Sequence, residues 1–330
     1  MTDGSIDTPR GRRVLVTGGA GVIARELLER LSGAGAEILS VDRLPLPTAV
    51  APRVEHLVAD LADADLGPIE RFAPQDIFHL AATFERSVES PEFWAQNWND
   101  NVVVTHRLAE LAARVRGVET VIFASSYLVY DPAQYSTTAL PASAVTLSET
   151  SRLGTRNLCG AAKLYGEAEL RFAQEVQAAG FRSAYARIFR VYGRGSRDVV
   201  SRWVRAALAG DPIEVYHPEN RFDYIFSGDV AEGLMRMAAS SRASGIINLG
   251  SGNSRPVTDV IAAVEGATGA RLVARTEAVD EPYEASGADV TRLRSTLHWT
   301  PPTALEAGIA RLVEFERADR HERATVAAER

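Results

Sequence analysis

The feature that most limits the fold is a glycine-rich turn, Thr17-Gly18-Gly19-Ala20-Gly21-Val22-Ile23-Ala24, set between an apolar run and an amphipathic one. Arg13 to Val16 (RVLV) reads as a buried strand and Val22 to Leu31 (VIARELLERL) as a helix. Glycines at that junction permit a tight turn and let the backbone approach a pyrophosphate, which the free N–H groups of the helix N-terminus would stabilise. Alone, such a turn indicates only a tight strand-to-helix connection. Its context adds more. Asp42 closes the second apolar run, 21 residues after Gly21, where a carboxylate accepts both ribose hydroxyls of an adenosine. That carboxylate would repel a 2′-phosphate, so the pattern predicts NAD over NADP, with the adjacent Arg43 as the one counter-indication.

The same alternation continues along the chain. Glu37 to Val41, Val54 to Val58, Asp76 to Leu80 and Val121 to Ala124 read as further strands, and long helical patterns cover about Asn97 to Arg114 and about Asn157 to Ala178. Short apolar runs alternating with helices predict βαβ units, hence an α/β fold of the Rossmann type with a doubly wound parallel sheet. With 330 residues there is room for one large domain or two smaller ones. The spacing predicts a dinucleotide-binding domain over 1–180, with 225–250 returning to it. A smaller C-terminal α/β cap for the substrate is predicted over 190–224 and 251–316. The charged segment 317–330, without large apolar residues after Phe315, is expected to be frayed or disordered.

Composition removes several classes. Apolar residues at 46% and charged residues at 24% match a globular chain with a sizeable core. A formal net charge of −7 argues against a general nucleic-acid surface. No apolar run approaches the ~18 residues of a membrane span, and the opening MTDGSIDTPRGRR has no apolar stretch of the secretory kind. A single cysteine excludes an internal disulfide framework and a Cys-based zinc site; no metal is expected, and a reducing cytoplasm fits.

A set of motifs in order resembles the extended short-chain dehydrogenase/reductase family, the nucleotide-sugar epimerases and dehydratases, over nearly the whole chain. Residues 17–24 resemble its T-G-x-x-G-x-x-G signature. Asp60-Leu61 resembles the pair beside the adenine, His79-Leu80-Ala81-Ala82 the segment under the cofactor, and Asn101 the family's helix asparagine. Ser125-Ser126-Tyr127-Leu128-Val129-Tyr130 resembles the S-S-x-x-V-Y strand end, and Arg187 to Gly193 the R-x-x-N-V-Y-G strand. Arg221 to Ile225, followed by Asp229-Val230-Ala231, resembles a further family block. The resemblance implies bound NAD, held by Gly18, Gly21, Val22, Ile23, Asp42, Arg43, Asp60, Leu61, Leu80, Ala81, Ala82, Asn101, Ser125 and Lys163. It also implies a nucleotide-diphosphate sugar substrate and a homodimer formed through the helices near Asn101 and Lys163.

The chain departs from that pattern at the chemistry. The family relies on Tyr-x-x-x-Lys, whose i,i+4 spacing sets both side chains on one helix face. Here the stretch reads Leu158-Cys159-Gly160-Ala161-Ala162-Lys163, with cysteine in the tyrosine's place. Three readings stand. Cys159 is the base, its thiol pKa lowered by Lys163; or another group is the base, Tyr127 being one candidate; or Cys159 is a small buried residue and the chemistry is altered. Ser126 occupies the position that hydrogen-bonds the reacting hydroxyl. The Asp-Glu pair that 4,6-dehydratases carry next is Tyr127-Leu128 here, and decarboxylases of the UDP-glucuronate type usually have Glu where Leu128 stands, so epimerisation survives best. Arg190 replaces the usual asparagine and suits a diphosphate or a sugar carboxylate. Arg86, Arg197 and Arg221 complete the expected substrate contacts. The expected function is an NAD-dependent epimerase acting by transient oxidation of a sugar hydroxyl, most often at C4, of an NDP-hexose or NDP-uronic acid. A dehydratase, decarboxylase or oxidoreductase of the same family, or a non-catalytic NAD-binding regulator, remains as the alternative.

Overall fold

The computed structural model describes residues 10–46, 54–84, 89–175, 180–276 and 281–328. Seven parallel strands form the central sheet in the order Gly245–Leu249, Arg182–Ile188, Thr120–Ser126, Asp76–His79, Arg13–Thr17, Glu37–Asp42 and Val54–Val58. The inner strands carry mainly apolar residues because both faces of the sheet are covered. Val14 and Val16 join the core on one face and Leu15 the core on the other, all three fully buried. Helices Val22–Gly33 and Ser227–Ala239 cover the first face. Helices Val104–Arg114 and Leu158–Glu175 cover the second.

Register then sets the site. Thr17 is paired with Val41 on one side and His79 on the other, so the carboxyl ends of the central strands align along one edge. The strand order reverses at Arg13–Thr17, and a ligand crevice opens at such a reversal on the carboxyl edge. The chain leaves the sheet after Ile188 into strand Arg190–Tyr192, which pairs with Arg221–Phe226 in the cap. The cap has its own core, in which Trp203, Val204, Val260 and Ile309 are buried between helices Val199–Ala209, Val257–Thr268 and Leu305–Ala328.

Two expectations are corrected. The helix expected from Asn97 begins earlier, as Pro91–Asn97 behind the N-cap Ser90, and passes through a π-helical turn, Trp98–Val103, before resuming as Val104–Arg114. A π turn inserts a residue and is frequent at functional sites; here it carries Asp100 and Asn101. The segment expected to fray from Arg317 instead continues helix Leu305–Ala328. Leu312, Val313 and Glu316 are buried just before it, Glu316 pairs with Arg205 at 2.8 Å, and Arg317 donates to the Thr268 carbonyl.

Candidate functional site

Gly18 has φ +73°, and a Cβ there would lie 2.7 Å from the Ala81 nitrogen, so neither its conformation nor its surroundings accept a side chain. The turn thereby presses against Leu80-Ala81 at the end of the Asp76–His79 strand. Helix Val22–Gly33 starts from an extended Gly21, with no side-chain cap and no acidic residue in its first turn. Val22 and Ile23 open the helix, with Ile23 packed against the core. An uncapped, electropositive helix start over a turn without side chains is what a pyrophosphate fits. Beside it lies a cleft lined by Asp42, Asp60, Leu61, Leu80, Ala81 and Ala82. Asp42 accepts from the Ala20 nitrogen at 3.0 Å and the Leu44 nitrogen at 2.9 Å. Each of its oxygens retains capacity for a ribose hydroxyl. Arg43 is committed elsewhere, its guanidinium forming a fork with Asp100.

At the next strand end, Ser126 accepts from the Leu128 nitrogen at 3.2 Å and so caps the short turn Tyr127–Val129. Helix Leu158–Glu175 starts against that turn: Arg156 N donates to the Leu128 carbonyl at 3.0 Å, and Asn157 Oδ1 receives the Gly160 nitrogen at 2.8 Å. Cys159 and Lys163 are thereby buried on the helix face beneath the crevice. The Lys163 ammonium lies 4.8 Å from the Phe123 ring centre, and burial pushes its pKa down. Burial pushes the Cys159 thiol up, and this outweighs the opposite effect of Lys163. The expectation that Lys163 leaves Cys159 more acidic than a free thiol is therefore wrong: desolvation of a thiolate costs more than one nearby ammonium returns.

His79 sits below this pocket. Nε2 lies 3.0 Å from the Thr105 hydroxyl, which spends its own proton on the Asn101 carbonyl at 2.6 Å. Nε2 must then carry the hydrogen, and Nδ1 accepts from the Thr17 hydroxyl at 2.8 Å. Burial lowers its pKa from the ordinary 6.5 to about 3, so the ring is neutral.

Two residues expected at the cofactor also brace the strand ends. Asn101 receives the Thr83 nitrogen at 2.8 Å and donates to the Thr83 and Asn97 oxygens, fixing the strand-end loop. The Ser125 hydroxyl donates to Glu167, which also holds Arg187 at 3.0 and 2.7 Å, all of it buried. Arg187 and Glu167 tie helix Leu158–Glu175 to the sheet one turn beyond Lys163.

The cap side holds a second cavity of about 480 Å³, lined by Arg190, Arg202, Trp203, Phe222, Tyr224 and Glu284 among others. The Arg190 guanidinium lies 3.5 Å from the Phe222 ring centre and 3.7 Å from Glu284. Tyr127 belongs to this side: its ring stacks on Phe189 at 5.3 Å, and Arg156, Tyr135 and Tyr224 are its electrostatic neighbours. Arg156 is held by a fork to Glu284. Arg221 is half-buried on its strand, with Nε lacking a hydrogen-bond partner among the described residues. Arg197 is exposed between Gly193 and helix Val199–Ala209. Glu85 and Arg86 lie outside the described residues. Sequence reasoning missed Asp100, Arg156 and Glu284. Arg156 and Glu284 are 128 residues apart, and nothing in the linear pattern joins them.

A chain built this way offers a cleft at a glycine-rich turn on the carboxyl edge of its sheet and a second cavity in its cap. Comparison with known proteins makes this specific. Residues 14–250 match the model of the NAD dependent epimerase/dehydratase family. The UDP-glucose 4-epimerase of Mycolicibacterium smegmatis is 33% identical over 332 aligned residues, covering 92% of this chain and 98% of that protein. The structure of MoeE5 in complex with UDP-glucose and NAD superposes with a TM-score of 0.81 at 30% identity, covering 93% and 99% of the two chains. UDP-glucuronic acid decarboxylase 2 of Arabidopsis thaliana is 27% identical, covering 92% of this chain and 68% of its own length. The chain belongs to the NAD-dependent epimerase/dehydratase family.

Proposed function

We propose that the protein epimerises a UDP-hexose or UDP-hexuronic acid, with the nucleotide in the cap cavity and the sugar reaching toward Ser126. The observation that carries this reading is that Ser126 ends the strand Thr120–Ser126 of the sheet whose carboxyl edge carries the dinucleotide cleft, while Arg190 of the cap cavity lies 5.9 Å from the ring of the next residue, Tyr127. Its support from outside is the M. smegmatis epimerase and MoeE5, whose structure contains UDP-glucose and NAD. NAD, when bound, would supply a reversible hydride acceptor. Gly18, Gly21 and Asp42 hold the dinucleotide. Ser126 hydrogen-bonds the reacting hydroxyl. The neutral amine of Lys163 takes the proton that this hydroxyl loses, becoming an ammonium, and gives it back when the hydroxyl is restored. Burial has already lowered the proton affinity of its amine, and its ammonium form holds the nicotinamide ribose. Cys159 is a neutral, short side chain that leaves room for the sugar. Arg190 and Arg202 hold the diphosphate or a sugar carboxylate, with Arg221 behind them.

The protein is also proposed to be a cytoplasmic homodimer. Among the described residues no helix is long and apolar enough to cross a membrane. Trp94, Trp98, Tyr165 and Phe172 lie exposed on the adjoining Pro91–Val103 and Leu158–Glu175 segments. Sedimentation at micromolar protein reads the assembly; a monomer would refute the dimer.

The test of function is incubation with UDP-glucose, UDP-glucuronate and their 4-epimers, with isomers separated by chromatography. Interconversion in either pair is expected. Release of carbon dioxide and a UDP-pentose would assign the decarboxylase reading, which the A. thaliana relatives favour and Leu128 disfavours. Firm NAD binding without turnover on any sugar nucleotide would assign the regulatory one.

A further inference from the structure

An arginine directly after the ribose-binding carboxylate is the residue an adenosine 2′-phosphate recruits, because its planar fork matches phosphate oxygens in pairs. Arg43 follows Asp42 at that point, and both line the dinucleotide cleft. The fork of Arg43 is already filled. Nη1 lies 3.0 Å from Asp100 Oδ1 and Nη2 2.9 Å from Asp100 Oδ2, with Asp60 a further 3.8 Å contact. The Arg43 side chain is 50% exposed and that of Asp100 only 9%. Asp100 is fixed by the π turn that carries it, and Gln96 Nε2 donates to the same carboxylate at 3.3 Å.

We propose that Asp100 is a cofactor-specificity residue: it occupies the Arg43 guanidinium and so denies a 2′-phosphate its cation, making NAD selection depend on a carboxylate 57 residues from the ribose-side pair. The physical reason is asymmetry of burial. For Arg43 to turn to a phosphate it must abandon a carboxylate nine-tenths buried, and a buried charge without its partner is costly. The half-exposed arginine is therefore the partner that stays. Asp42 repels the phosphate; Asp100 removes the compensating attraction. Asp100 lines the same cleft beside Arg43, and in this proposal it acts through Arg43 as a positioning residue. The proposal rests on the cleft being the dinucleotide site.

The experiment is calorimetric titration with NAD⁺ and NADP⁺, read as a ratio of affinities. Binding of NAD⁺ by the unsubstituted protein tests the site itself, separately from the role of Asp100. In an Asp42→Ser background, adding Asp100→Asn is expected to strengthen NADP⁺ binding at least about 10-fold, the order of one charge-assisted fork. NAD⁺ affinity should change by less than about 3-fold, because NAD⁺ carries no 2′-phosphate for the released Arg43 to bind. Adding Arg43→Ala should abolish the gain. The Asp42→Ser/Asp100→Glu variant, which retains a carboxylate, should not show it. A gain that persists in Arg43→Ala, or no gain in Asp100→Asn, overturns the proposal. Should Asp100→Asn fail to fold, the half-exposed Arg43→Ala decides alone. With Asp100 in place, that substitution is expected to leave NADP⁺ affinity unchanged, and a loss would show Arg43 already reaching the phosphate.

Discussion

A Cβ on Gly160 would stand 2.5 Å from the carbonyl oxygen of Leu128, closer than any real Cβ contact. The start of the Leu158–Glu175 helix is therefore seated directly on the turn that follows Ser126. This contact, more than any single hydrogen bond, sets Lys163 against the strand end. Gly160→Ala must push the two apart. A displacement of ~1 Å in an active site costs about 10²-fold in rate. We expect kcat to fall by about that factor, with NAD binding through Gly18 and Asp42 retained. Kinetics beside NAD⁺ titration checks this; unchanged turnover would mean the contact does not set the geometry.

Cys159 and Ser126 should separate cleanly by mutation. With its thiol pushed up by burial, Cys159 is neutral at working pH and has no proton-accepting form to lose. Cys159→Ala is expected to retain measurable epimerisation. Ser126→Ala should lose about 10²-fold or more, as for other positioned acid–base groups. Complete loss in Cys159→Ala, with fold and NAD binding intact, would make the thiol the base.

Lys163→Met should exchange activity for stability. A buried ammonium whose folded pKa lies below the unfolded 10.5 binds its proton less well when folded. The native state carries that penalty at every pH below the folded value, and the penalty fades as pH rises toward 10.5. Removing the charge should stabilise the fold by about 0.5–2 kcal/mol at neutral pH, while cofactor binding weakens and turnover disappears. In the parent enzyme kcat/KM should rise with pH through a single limb that survives in Cys159→Ala. A melting temperature that drops in Lys163→Met would contradict the desolvation account.

His79 contributes in the acid range. Its folded pKa of about 3 lies below the ordinary 6.5, so the unfolded chain takes up a proton first. Stability should therefore fall as pH drops from 6.5 toward 3. Nitrogen-15 NMR should find the neutral, Nε2-protonated ring from pH 5 to 8, the range in which an ordinary histidine titrates. A ring that titrates within that range would refute the Thr17–His79–Thr105 arrangement.

The parallel sheet was legible because its information is local. Runs such as VLV at 14–16 and VIFA at 121–124 are apolar at every position, glycines mark the turn after the first strand, and the helices announce themselves by period. Family motifs fixed the candidate positions Ser126 and Lys163 in the same way. What the linear pattern lacked was burial and pairing across distance. It left open whether Lys163 lowers the Cys159 pKa, where packing around the thiol raises it. It left Arg43 open as a phosphate ligand, whereas Asp100 already fills its fork. It placed Asn101 and Ser125 among the cofactor contacts without showing that they also hold Thr83 and the Arg187–Glu167 pair. It ended the chain in a frayed tail, where Glu316 buried against Arg205 carries the helix onward. Strand and turn chemistry is written in neighbouring residues. The charge state of a thiol or the freedom of an arginine depends on which distant groups the fold brings within about 4 Å, and only tertiary packing decides that.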